Sequence, residues 1–162
     1  MLNLRIGMLA MVTVAMVPAG LAAAQIMGPA PAACSAGDVP SILVRVSGFK
    51  DRNGKVRVRT FGGSPSTYFD KAKVLKRVEY AIPASGPVEV CMPVPSVGVY
   101  AVDVRHDTNN NGDTDRADGA GASGNPKISL FDIIFKRKPP VKQVQVSVGQ
   151  GTTVVPIMIR YM

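Results

Sequence analysis

The sequence predicts an all-β fold, an antiparallel sandwich of two sheets with about seven short strands and little helix. Three observations predict it. Apolar and polar residues alternate with a period of two in several short stretches. The chain of 162 residues carries 16 Gly and 13 Pro, a load that suits a turn-rich β protein better than a helical one. Turn signals also separate the alternating stretches at short, regular intervals.

The elements follow in order. Residues 1–24 read as a secretory signal peptide. Arg5 gives a positive start, Ile6 to Val17 is an uncharged apolar stretch, and Leu21-Ala22-Ala23-Ala24 offers small residues before a cut ahead of Gln25. Pro18 and Gly20 favour cleavage over an uncleaved membrane anchor. Residues 25–40 are rich in Ala and Pro, lack periodicity, and read as a flexible lead-in to a domain at 41–162.

Ser41 to Ser47 alternates, with Ile42, Val44 and Val46 on one face. Lys55 to Phe61 repeats the pattern, with Val56 and Val58 set against Arg57 and Arg59. Asn53-Gly54 between them accepts positive φ at both positions. The two stretches are therefore expected to pair as a hairpin, valines inward and arginines outward. Gly62-Gly63-Ser64-Pro65 breaks the chain, and Thr67 to Lys76 is expected to form a short helix.

Arg77 to Ala81, Pro87 to Met92 and Gly98 to His106 read as strands, the last with Tyr100, Val102 and Val104 against Ala101, Asp103 and Arg105. Ile128 to Phe135 is apolar without clear period. Lys142 to Val148 and Thr152 to Tyr161 are two more strands, expected to form a hairpin through Gly149-Gln150-Gly151. Strands at this spacing give an immunoglobulin-like sandwich.

The chain has two cysteines, Cys34 and Cys91. In an exported protein an even pair is read as one disulfide. Closing a loop of that length stabilises the fold by roughly 4 kcal/mol in the loop-entropy account. The single histidine, His106, rules out multi-histidine metal sites. It leaves one candidate for imidazole acid–base chemistry, with Asp103 or Asp107 as partner in a hydrolase.

The net charge is +8. Arg45, Arg57 and Arg59, with Lys136-Arg137-Lys138, form basic groups suited to an anionic envelope component or another envelope protein. Export and the scarcity of aromatics disfavour nucleic acid.

The stretch from Asp107 to Asp118 has the spacing of a calcium loop: Asp107, Asn109, Asn111, the turn at Gly112, then Asp113, Asp115 and Asp118. Neutral Asn at two ligand positions and Asp in place of the final Glu predict weak affinity, roughly 10⁻⁴–10⁻³ M. The competing expectation is a turn in which Asn and Asp side chains cap their own backbone. Gly119-Ala120-Gly121-Ala122-Ser123-Gly124 matches a dinucleotide fingerprint in letters only. It neither follows a strand nor opens a helix, and is expected to be a flexible loop.

Pro95-x-x-Gly98-x-Tyr100-Ala101-x-x-x-x-His106-Asp107-x-Asn109-x-Asn111-Gly112 resembles the signature of a family of exported bacterial proteins, domain of unknown function twenty-one forty-one. Ser47-Gly48-Phe49-x-Asp51-x-Asn53-Gly54 and Val155-Pro156-Ile157-x-Ile159-Arg160-Tyr161 are similar to its opening and its end. Ala122-Ser123-Gly124-Asn125 departs from the family, which usually carries an aromatic before a Ser-Asn pair there. The resemblance implies a transthyretin-like or carboxypeptidase-regulatory-like β-sandwich and no established activity. The function expected on these grounds is that of an exported, non-enzymatic binding or structural module of the cell envelope.

Overall fold

The computed structural model describes residues 25–127 and 137–161. The expected signal segment 1–24, the apolar stretch Ile128–Phe135 and Lys136 lie outside the described residues. The strands are β1 (Ile26–Met27), β2 (Ser41–Ser47), β3 (Lys55–Gly62), β4 (Val74–Ala81), β5 (Val88–Pro93), β6 (Gly98–Asp107), β7 (Gly119–Ala122), β8 (Val146–Val148), β9 (Thr152–Met158) and β10 (Arg160–Tyr161). Among the described residues two short helices are α1 (Pro31–Ala36) and α2 (Val141–Val144).

The strands form two sheets. Sheet A runs β1-β5-β2-β9, and sheet B runs β10-β7-β6-β3-β4 with β8 pairing the start of β6. The chain is thus the all-β sandwich its periodicity predicts. Most pairs are antiparallel, but β1–β5 and β2–β9 are parallel. Ile42, Val44 and Val46 of β2, Val56 and Val58 of β3, Val102 and Val104 of β6, and Val155 and Ile157 of β9 meet in one core. Burying a Val or Ile side chain contributes about 1.5–3 kcal/mol relative to exposure, so these alternating faces specify the layers.

The two expected hairpins are not formed. β2 lies in sheet A between β5 and β9, and β3 lies in sheet B between β4 and β6. Residues 48–54 cross from one sheet to the other. Gly48 and Gly54 both have positive φ, and a Cβ on Gly54 would fall 1.9 Å from the Asp107 carbonyl oxygen. Asn53-Gly54 therefore turns the chain onto β6 rather than back onto β2. Leu43 on the other face of β2 is also buried, which fits an interior strand covered on both sides. Gly149-Gln150-Gly151 likewise changes sheets, since β8 pairs β6 while β9 pairs β2.

Three local expectations are also corrected. Thr67–Lys76 is not a helix. Phe69 sits at φ 59, only a 3₁₀ turn forms at Lys71–Lys73, and β4 follows directly. The fall of Tyr68 and Phe69 onto Phe61 outweighs a weak local helix preference. Lys142–Val148 is split between α2 and β8. The lead-in 25–40 carries β1 and α1, and Cys34 of α1 bonds to Cys91 of β5 as the cysteine count predicts. That disulfide and α1 cover Leu43 on the outer face of sheet A.

Candidate functional site

His106 follows from the alternation of β6. It shares the inward face with Val102 and Val104, at the end of the core where 48–54 crosses over. Its ring is 0 % exposed. Nε2 faces the Asn53 carbonyl oxygen at 2.7 Å, which can only accept, so Nε2 carries the proton. Nδ1 then accepts from the Tyr161 hydroxyl at 2.5 Å. Phe49 and Tyr161 pack edge-on against the ring. Asp103 and Asp107 point to the opposite face of β6, because they stand at odd positions. The structure therefore does not bring together the expected His–Asp pair. The nearest carboxylate is Asp51, 3.9 Å from Nε2.

The Asp107–Asp118 loop is closed by its own side chains. Asp107 accepts from the backbone N–H groups of Asn111 and Gly112. The Asn109 and Asn111 side-chain oxygens accept from the backbone N–H groups of Asn111 and Asp113. Both amide groups donate to Asp115, at 2.8 and 2.9 Å, and hold its carboxyl below the usual carboxylate range. Asp118 accepts from the N–H groups of Thr108 and Asp115. Asp113 meets the loop through its backbone.

A protein cation enters this loop. Arg105 donates to Thr114 Oγ1 and the Gly112 carbonyl, both at 2.8 Å, and pairs with Asp107 at 3.3 Å. Among the described residues no group of three His, Cys, Asp or Glu side chains is placed to hold a metal ion.

The Gly-rich stretch that follows is not a flexible loop. Gly119–Ala122 forms β7, and a Cβ on Gly119 would meet Ile159 at 2.3 Å and the Tyr161 ring at 2.5 Å. These glycines let β9 and β10 approach closely. Ser123 is buried, donating to the Val144 carbonyl and accepting from the Val102 N–H.

The basic residues separate. Arg45 pairs with Glu89 at 2.7 Å on the outer face of sheet A. Arg57 and Arg59 stand on the outer face of sheet B. Lys138 donates to the Tyr68 carbonyl, Arg137 is exposed, and Lys136 lies outside the described residues. Arg59 does not point to solvent as expected. It is buried and forms a bidentate pair with Asp103, its cross-strand neighbour on β6.

Sheet register assembles a group that the chain positions alone do not reveal. Arg57 of β3 lies directly opposite Arg105 of β6 and Glu79 of β4, while Arg59 lies opposite Asp103 and Arg77. Glu79 holds Arg77, Asp103 holds Arg59, and Asp107 holds Arg105. Arg57 has no ion-pair partner among the described residues. Its Nε, the Arg105 Nε and the Tyr68 hydroxyl are buried with no hydrogen-bond partner among them. Burial, with Arg59 and Arg105 close by, lowers the Arg57 pKa to about 10. Burial also pushes the Tyr68 hydroxyl up, helped by the charge of Asp103. The period-two phase of Asp103 and Arg105 on β6 was the available signal, but it required the β3–β6 pairing to be read.

Among the described residues no helix is long and apolar enough to cross a membrane. A family described as an uncharacterized protein conserved in bacteria, DUF2141, matches residues 44–156. That span runs from β2 through β9, across both sheets and the whole Asp107–Asp118 loop. No curated protein and no solved structure matches the chain.

Proposed function

The chain belongs to this uncharacterised bacterial family, DUF2141, and from that premise we propose that it is a non-enzymatic binding module working outside the cytosol, in the cell envelope or beyond it. The observation that carries the reading is a contrast in hydrogen bonding. The single imidazole has both nitrogens engaged inside the fold and none left for a substrate. Three unfilled buried donors, the Nε atoms of Arg57 and Arg105 and the Tyr68 hydroxyl, instead lie on the outer face of sheet B. Enzymes need a base within reach of a reacting proton, and binding surfaces need unpaired polar groups held rigidly. The Cys34–Cys91 disulfide supports an oxidising compartment.

The Asp107–Asp118 loop is read as a rigid end-loop whose resident cation is Arg105 rather than calcium. In this reading millimolar calcium leaves the melting temperature unchanged. A rise would restore calcium, because a ligand that binds only the native state must raise the midpoint.

Two measurements test the module. Labelled mature protein is titrated onto washed bacterial envelopes, where saturable binding displaced by unlabelled protein is expected and its absence would sink the reading. Wild-type protein and the His106→Gln variant are run against chromogenic esters, peptides and phosphoesters. Turnover by the wild type that a folded H106Q loses would make the protein a hydrolase instead.

A further inference from the structure

We propose that the outer face of sheet B binds an oxyanion, a phosphate or carboxylate group, at Arg57 between the flanking guanidiniums of Arg59 and Arg105. The inference deepens the binding-module reading and rests on it.

The geometry is costly without such a ligand. Like charges directly opposite one another across a β ladder destabilise the pair, and Arg57 faces Arg105 in register, while Glu79 on its other side is engaged by Arg77. Each nearby carboxylate among the described residues already has a partner. Asp103 gives both oxygens to Arg59, Glu79 is held by Arg77, and Asp107 serves Arg105 and two loop N–H groups. Arg57 is half-buried and unpaired among the described residues, so it has lost part of its water without gaining an acceptor. Arg105, 3 % exposed, and Tyr68, 2 % exposed, each bring one more unfilled donor to the same face.

A neutral residue at 57 would remove the repulsion from Arg105 and would lose only the facing Glu79, which Arg77 already holds. Guanidinium is the side chain whose planar donor fork matches carboxylate and phosphate oxygens. An oxyanion would accept from the half-buried Arg57 guanidinium and offset the excess positive charge of Arg57 and Arg105 together. Glu79 and Asp103 would hold Arg77 and Arg59 in place and leave Arg57 as the group that ligand reaches.

The test is thermal melting of the mature, oxidised protein in sodium phosphate, sodium acetate and sodium chloride at matched ionic strength. Wild type is compared with Arg57→Gln, Arg57→Lys and Arg160→Gln, the last an exposed cation at the edge of the same sheet. Wild type and R160Q are expected to melt about 4 °C higher in saturating phosphate or acetate than in chloride, and R57Q is expected to lose that difference. Without oxyanion, R57Q should melt no lower than wild type.

Equal midpoints in all three salts would overturn the proposal, as would an R57Q response equal to wild type. An R57Q that melts lower and is restored by R57K would make the charge structural, which also overturns it. Co-sedimentation with phosphatidylglycerol vesicles against phosphatidylcholine vesicles identifies the source of a phosphate response. Arg57-dependent sedimentation assigns it to a lipid headgroup, and its absence to a soluble oxyanion. If the salts fail while envelope binding remains saturable, the oxyanion falls and the binding module stands.

Discussion

The core end around His106 and the outer face of sheet B around Arg57 are both polar, both largely buried, and opposite in how they are completed. At His106 every polar atom has a partner: Nε2 meets Asn53, Nδ1 meets Tyr161, and Phe49 closes the ring from the side. At Arg57, among the described residues, the neighbours are satisfied in pairs that leave over the Arg57 guanidinium and two further buried donors, the Arg105 Nε and the Tyr68 hydroxyl. A finished network stabilises one conformation and offers nothing to a ligand. An unfinished one lowers stability until something binds. A lone histidine beside aspartates in sequence suggested chemistry, whereas Arg57, on the neighbouring strand and the opposite face of the same sheet, carries the stronger functional signal.

Asp103→Asn should have the largest effect, because it tests how much neutralisation the outer face already uses. It would leave Arg59 buried beside Arg57 and Arg105 with no carboxylate of its own. Removing one member of a buried pair costs about 4 kcal/mol, read as a lower urea midpoint. A loss below about 1 kcal/mol would mean that the face tolerates unpaired cations, and the contrast with His106 would weaken.

His106→Ala comes next. It deletes a fully buried ring and strands both the Asn53 carbonyl and the Tyr161 hydroxyl. A cavity plus unsatisfied groups costs about 3 kcal/mol, measurable by the same urea titration. Tyr161→Phe is milder, about 1 kcal/mol for one hydrogen bond, but it has a pH signature. Burial raises the Tyr161 pKa above 10. The native state thus keeps its proton where the unfolded chain loses it. The hydroxyl's contribution is complete below pH 10 and is lost as pH climbs through the raised value. Y161F should lose stability less steeply above that point.

Strand existence was legible from the sequence because alternation encodes burial residue by residue. Ile42, Val44 and Val46, or Tyr100, Val102 and Val104, mark inward faces whatever the partner strand. Partnership was not legible. Asn53-Gly54 and Gly149-Gln150-Gly151 encode positive φ, which a hairpin and a sheet-to-sheet crossing both need, and the outcome was decided by contacts far along the chain. Gly54, for instance, is fixed by the carbonyl of Asp107. The same gap hid the site. Arg57 and Arg59 were visible as basic residues, but their burial and their pairing with Asp103 and Arg105 depend on the β3–β6 register. The glycines of β7 were misread for a related reason, since what they make room for is Ile159 and Tyr161.

The smallest expected effect is the most specific to the contrast. At neutral pH Arg57→Gln should leave stability unchanged or raise it by about 0.5 kcal/mol, because it removes a like-charge neighbour of Arg105. Burial and the neighbouring guanidiniums lower the Arg57 pKa to about 10 in the native state, below its ordinary value in the unfolded chain. Between those values the unfolded state binds more protons, so this group's contribution to stability rises with pH. It opposes the fall caused by Tyr161 over the same range. The direct observable is therefore the difference between R57Q and wild type, followed by urea midpoint from pH 8 upward. That difference should shrink as pH passes about 10, because deprotonated Arg57 no longer repels its neighbours. A difference that is negative at neutral pH and grows more so would mean that Arg57 has its acceptor within the fold. The outer face would then be as complete as the core end around His106.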